Sequence, residues 1–238
     1  MKYYWVSGIF VIDIMLHKSK ECRKITTKNV GIIKTLINGE EMTSNASVIF
    51  WEDKPLIITS AHSVYDWYSE KFSEKVNFFD YLGEKINIDY IILSKRWINE
   101  GILDFDTAIL FPEKINMHRY DKIRPKFCVT KPTKVLIISQ KRGLFKNKVV
   151  SYERNIFNDD IYKSSMIGIK LKSNAGLSGS PWYYECNNKQ YQISNTSLSF
   201  KKKKRLTFAP YWGRYIEEMF EFTENSIYNN EYIYHQLN

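Results

Sequence analysis

The chain reads as an all-β fold that ends on one helix, on three observations. Its apolar residues, 44% of the 238, gather in runs of four or five that are rich in β-branched and aromatic side chains. Gly, Pro, Asn, Asp or Lys bounds these runs, which is how strands are punctuated. One convincing segment, residues 212–223, repeats apolar side chains at helical spacing, through Tyr215, Ile216, Met219 and Phe220. A chain of this length buries a substantial core, as one domain or as two small packed units.

Taken in order, residues 5–16 and 30–37 are two apolar stretches joined by a basic, threonine-containing linker. Residues 47–51 and 56–60 flank Glu52-Asp53-Lys54-Pro55, a turn-rich tetrapeptide, so they predict a β-hairpin. Residues 61–68 leave the sheet as a short helical turn, and strands follow at 76–79, 86–93 and 107–111. The polar stretch 114–132, with Pro125 and Pro132, reads as a connection between two halves. Strands are then expected at 134–139, 148–153, 166–171, 181–184, 191–196 and 206–210, followed by the helix. The aromatic tail 228–234 reads equally as a segment docked on the fold or as a binding segment.

Charge and cysteine usage narrow the setting. The net charge of +9, from 35 basic and 26 acidic residues, favours acidic partners without establishing nucleic-acid binding. No RNA-recognition signature, zinc-ligand spacing or helix-turn-helix pattern is visible, so nucleic acid is not an expected partner. The run Lys201-Lys202-Lys203-Lys204-Arg205 reads as a solvated hairpin tip. Cys22, Cys128 and Cys186 are odd in number and far apart, which fits buried thiols in a reducing compartment better than a disulfide framework. Asp13 interrupts the apolar start, and no stretch reaches the ~20 apolar residues that span a bilayer. A cytoplasmic protein with no membrane partner is the expectation.

The residues that carry chemistry lie in three short motifs. Gly176-Leu177-Ser178-Gly179-Ser180-Pro181 sets a serine between glycines, which suits a tight loop that presents a hydroxyl and aims backbone N–H groups at one point. Serine alone is a poor nucleophile and needs a base and an orienting acid. Thr59-Ser60-Ala61-His62 puts a histidine at the end of an apolar strand. Asp106-Thr107-Ala108-Ile109-Leu110 puts a carboxylate at the start of another, with Asp104 as its competitor two residues earlier. His17, His118 and His235 have no partner that the sequence identifies.

The three motifs, in the chain order His, Asp, Ser, resemble the TAAH, DIALL and GDSGGP boxes of trypsin/chymotrypsin-like serine proteases. The GxSGSP form is most similar to bacterial glutamyl endopeptidases and HtrA-like enzymes. The resemblance runs from about Thr43 to Thr223 and includes residues 134–143, which look like the strand and turn that open that family's second barrel. It implies two packed antiparallel six-stranded β-barrels with a C-terminal helix. The corresponding division is 1–42 as an N-terminal segment packing on the barrels, 43–125 and 126–211 as the barrels, and 212–238 as helix and tail.

What the resemblance implies for function is hydrolysis of peptide bonds through an acyl-enzyme on Ser178, with His62 as general base and Asp106 orienting it. The oxyanion would be held by the N–H groups of Gly176 and Ser178. No metal or organic cofactor is implied, and the partner is a protein or peptide substrate. Lys172 and Ser173, with Asn195, Thr196 and Ser197, become candidates for the substrate pocket, and a lysine at its base would favour acidic side chains. Two departures matter. Ser63 stands where secreted relatives carry a disulfide cysteine, and Leu177 stands where many zymogens carry an aspartate. The second leaves control to a partner, a ligand or substrate supply. A cytoplasmic bacterial effector protease is one expectation; the alternative is a catalytically silent barrel pair that binds protein or nucleic acid through its basic surface.

Overall fold

The computed structural model describes residues 27–130, 134–141, 148–158, 165–172, 176–199, 205–224 and 230–237. The stretch 5–16, His17, Cys22, Ser173 and Lys201–Lys204 lie outside the described residues.

Hairpins build the first half. Strands β1 (Val30–Ile37) and β2 (Glu40–Trp51) pair in register from Val30↔Ser47 to Ile37↔Glu40. The turn between them is Asn38-Gly39, with φ of 52° and 77°, the type I′ geometry that matches strand twist. Glu52 and Asp53, at φ of 48° and 63°, make the same kind of turn into β3 (Lys54–Thr59). A small ribbon, β4 (Tyr65–Asp66) and β5 (Lys71–Phe72), precedes β6 (Lys75–Phe79), β7 (Lys85–Ser94) and β8 (Ala108–Pro112). The order β7-β6-β1-β2-β3-β8, with β7 also paired to β8, closes a six-stranded barrel.

Between the halves runs β9 (Arg124–Pro125). The second half comprises β10 (Lys134–Lys141), β11 (Lys148–Asn158), β12 (Ile167–Lys170), β13 (Pro181–Cys186), β14 (Lys189–Asn195) and β15 (Leu206–Ala209). Asn187 and Asn188, both with positive φ, turn β13 into β14. Six antiparallel strands run β15-β12-β11-β10-β13-β14, and β9 adds in parallel to β14. Among the described residues no strand ladder crosses the seam of this curl; two backbone bonds span it, Ser197 N–H to Phe208 O at 3.0 Å and Phe208 N–H to Leu198 O at 2.9 Å.

Helix α1 (Lys95–Glu100) was not expected from the sequence. Its six residues are too few to show a period, although Ser94 caps it by accepting from Arg96 N–H. Helix α2 (Arg214–Phe222) buries Ile216, Met219 and Phe220, while Tyr215 is 56% exposed. The tail then returns as β16 (Tyr232–Gln236), antiparallel to β7 on the edge left beyond β6. Cys128 is exposed and Cys186 half-buried, so these two are free thiols but not core residues as expected.

Three apolar clusters explain why the strands read as solid runs rather than alternations. One fills the first barrel around Ile33, Val48, Phe50, Ile57 and Phe78. Another fills the second around Val135, Ile137, Ile169 and Trp182. The third lies between barrels and helix, where Ile49, Ile58, Ile109 and Ile138 meet Trp212, Met219 and Phe220. Ile57 and Ile58 thus face different cores, and a strand buried on both faces shows no polar alternation.

Tyr232 ties the tail into this third cluster. It is 6% exposed, packs on Phe222 at 5.5 Å between ring centroids and donates its hydroxyl to Tyr215 O at 2.8 Å. Tyr232→Ala is expected to cost about 3 kcal/mol, read as a lowered urea midpoint with unchanged slope.

Candidate active site

Each barrel brings its part of the site to the seam from a strand end. At the end of β3, Ala61–Ser63 forms a turn of 3₁₀ helix that carries His62. A second such turn, Leu103–Phe105, leads into β8, and Asp106 ends it at φ −74°, ψ 57°. Ser178 sits in a tight loop before β13, with Ser180 N–H bonding back to Leu177 O at 3.0 Å. Gly179, at φ +76°, takes the position where such turns call for glycine. A Cβ there would also lie 1.9 Å from Asn45 O, so no other residue fits.

These three side chains form one hydrogen-bonded line. His62 Nδ1 is 2.8 Å from Asp106 Oδ2, and His62 Nε2 is 2.9 Å from Ser178 Oγ. Asp106 Oδ1 also accepts from the backbone N–H of His62 at 2.9 Å, and Ser197 Oγ donates to Oδ2. An ionised carboxylate only accepts, so Nδ1 carries the proton. In the neutral ring Nε2 is then an acceptor, and the Ser178 hydroxyl donates to it.

Burial and charge compete at this pair. Asp106 is fully buried. That burial favours the neutral acid, but the His62 charge and the bonds from His62 and Ser197 outweigh it and hold the carboxyl below its ordinary 3.8. For His62, burial disfavours the cation, yet the Asp106 charge and hydrogen bond prevail, and the ring sits above its ordinary 6.5. The His62 side chain remains 32% exposed.

Of the other sequence candidates, Asp104 turns away and accepts from Ser165 N–H at 2.7 Å. The cleft in front of the triplet, about 300 Å³, is lined by residues that include His62, Gly176, Leu177, Ser178, Thr196 and Ser197, with Trp97, Leu198 and Ser199 beside them. Asn195 lies behind this wall, donating to Asp106 O at 3.0 Å and accepting from Thr107 Oγ1 at 2.7 Å. Thr196 Oγ1 takes the Trp182 indole N–H at 2.9 Å. Lys172 is exposed and does not line the cleft, because its neighbour Leu171 is the residue that turns into the core. Among the described residues it therefore supplies no cation to the cleft lining.

Two contributors carried no motif. Trp97 enters on the unexpected helix α1. Asn45 lies in Ser44-Asn45-Ala46-Ser47, a small and mostly polar segment in the middle of β2 whose side chains are nonetheless buried; that burial shows only in the fold, so the sequence carried no signal for it. Among the described residues no group of three or more His, Cys, Asp or Glu is placed to hold a metal, and no helix is long and apolar enough to cross a membrane.

No protein-family profile matches the chain, and no curated protein matches it in sequence. Solved structures do match in shape. The protease Anisep from Arthrobacter nicotinovorans superposes with a TM-score of 0.71 at 16% identity, covering 83% of this chain and 95% of that one. The thermostable serine protease AL20 from an extremophilic microorganism gives 0.71 at 17% identity, covering 83% and 97%. A Glu endopeptidase gives 0.70 at 14% identity, covering 86% and 94%. The fold is the chymotrypsin-like double β-barrel.

The raised His62 value fixes the sign of a stability effect. The contribution is complete below about pH 6.5, where the unfolded ring also holds its proton, and is lost as pH rises through the higher folded-state value. Urea unfolding of wild type and His62→Gln at about pH 6 and about pH 8.5 is expected to show the wild-type advantage shrinking at the higher pH.

Proposed function

We propose that the protein is a serine endopeptidase. The observation that carries the reading is the line Ser178 Oγ–His62 Nε2 and His62 Nδ1–Asp106 Oδ2, at 2.9 and 2.8 Å, opening on a cleft. The similarity in fold to structures described as proteases supports it. A protein or peptide is then the substrate.

In this reading Ser178 Oγ attacks the scissile carbonyl carbon as His62 Nε2 takes the hydroxyl proton. Asp106 keeps the ring in the required tautomer and stabilises the imidazolium that forms. The carbonyl oxygen becomes an oxyanion. The N–H groups of Gly176 and Ser178 are its candidate donors, because among the described residues neither donates to a protein acceptor. His62 then delivers the proton to the leaving amine, leaving an acyl ester on Ser178. Water, deprotonated by the same nitrogen, hydrolyses that ester and restores the hydroxyl.

Because the ring must be neutral to act, the raised His62 value places the rise of activity above pH 6.5. Free Cys128 and Cys186 fit a reducing compartment, and a cytoplasmic bacterial protease with one dedicated target extends the proposal. The alternative of a silent binding module predicts a folded protein without turnover.

Incubation with a peptide library, read by mass spectrometry, tests this directly. Cleavage is expected from wild type, with Asp106→Asn slower by about 10⁴-fold and Ser178→Ala inactive. Absence of cleavage by well-folded wild type, or equal cleavage by Ser178→Ala, would overturn the reading.

A further inference from the structure

Asn45 lies on β2 of the first barrel, with only 1% of its surface exposed, and three of its four hydrogen-bonding groups are used across the seam. Its Nδ2 donates to Gly176 O at 2.5 Å and its Oδ1 accepts from Gln140 N–H of β10 at 2.6 Å. Its backbone N–H donates to Ser178 O at 2.8 Å, and its backbone carbonyl accepts from Thr59 Oγ1 at 2.7 Å. The two side-chain bonds fix the orientation of the amide, since one partner is purely an acceptor and the other purely a donor.

The segment it grips needs a restraint. Gly176, at φ +89°, has no described atom beyond its chain neighbours within 4 Å of where a Cβ would stand, so among the described residues no packing at that position resists rotation of its peptide groups. Leu177 buries its side chain in the second barrel's core and offers no carboxylate for an ionic tie. Asn45 holds the carbonyl at each end of the three-residue stretch.

We propose that Asn45 is a positioning residue that holds the Gly176–Ser178 backbone in place for the nucleophile and its N–H donors, so that the loop is set from within the fold. This rests on the protease reading, and it makes assembly of the loop independent of a newly cut N-terminal amine.

The test is the inactivation rate with a fluorophosphonate, resolved into kinact and KI, for wild type, Asn45→Ala and Asn45→Asp, with melting temperatures and amide exchange across 176–180. Asn45→Ala is expected to lower kinact by about 10²-fold, the loss that follows a misplaced oxyanion donor, with KI held within about twofold. Asn45→Asp keeps the acceptor for Gln140 but donates to Gly176 O only when protonated. Its kinact relative to wild type is expected to fall as pH rises, a trend that a merely structural role would not give. If Asn45→Ala fails to fold, that pH trend decides. Labelling of Asn45→Ala within about twofold of wild type, or a pH-independent ratio for Asn45→Asp, overturns the inference and leaves the protease reading intact. A folded wild type that does not label removes the protease reading instead. Exchange then decides: faster exchange of 176–180 in the variants sustains the positioning role, and unchanged exchange overturns it.

Discussion

A carboxylate with no access to water sits at the seam of two barrels, and the site depends on how its charge is satisfied. Asp106 accepts from the His62 ring, the His62 backbone and Ser197. An isolated buried carboxylate would be strongly unfavourable and would take up a proton instead. Here the pull of the histidine and the hydroxyl keeps it ionised, and the same field raises the histidine. The two shifts are one interaction seen from both partners. Around it Asn195 binds the Asp106 carbonyl, Thr107 binds Asn195, and the Trp212 indole reaches Thr107 Oγ1 at 3.3 Å. A charge in the first barrel is thereby tied to β14 and to the segment leading into α2.

Close backbone approach is the second constraint. Gly179 touches Asn45 so tightly that a methyl group has no room, and Asn45 in turn holds the loop carbonyls. Ser178 belongs to one barrel, but its loop is held by the other. This explains why the hydroxyl meets the imidazole at hydrogen-bond distance although the two lie 116 residues apart.

Much of this was legible in the sequence. The strands announced themselves as β-branched and aromatic runs, and the three side chains that the motifs single out are the three that the fold brings together. What was not legible depended on tertiary contact. β16 is a polar, aromatic segment with no alternation of its own, and it becomes a strand because β7 offers a free edge. Helix α1 is too short to carry a period. Asn38-Gly39, by contrast, is a strong hairpin signal in the sequence itself, and β1 and β2 turn on it. Lys172 stands exposed and outside the described lining of the cleft, because spacing along the chain does not set the direction of a side chain. Asn45 had no motif, since its role arises only where β2, β10 and the serine loop converge.

The chemistry of the site stands on a histidine whose Nδ1 proton is held by a buried, ionised carboxylate. The most direct measurement is the long-range ¹H–¹⁵N spectrum of the His62 ring across pH. The expected result is a proton on Nδ1 in both charge states, with a midpoint above 6.5 that drops in Asp106→Asn. A neutral ring protonated at Nε2, or a midpoint at or below 6.5, would contradict it.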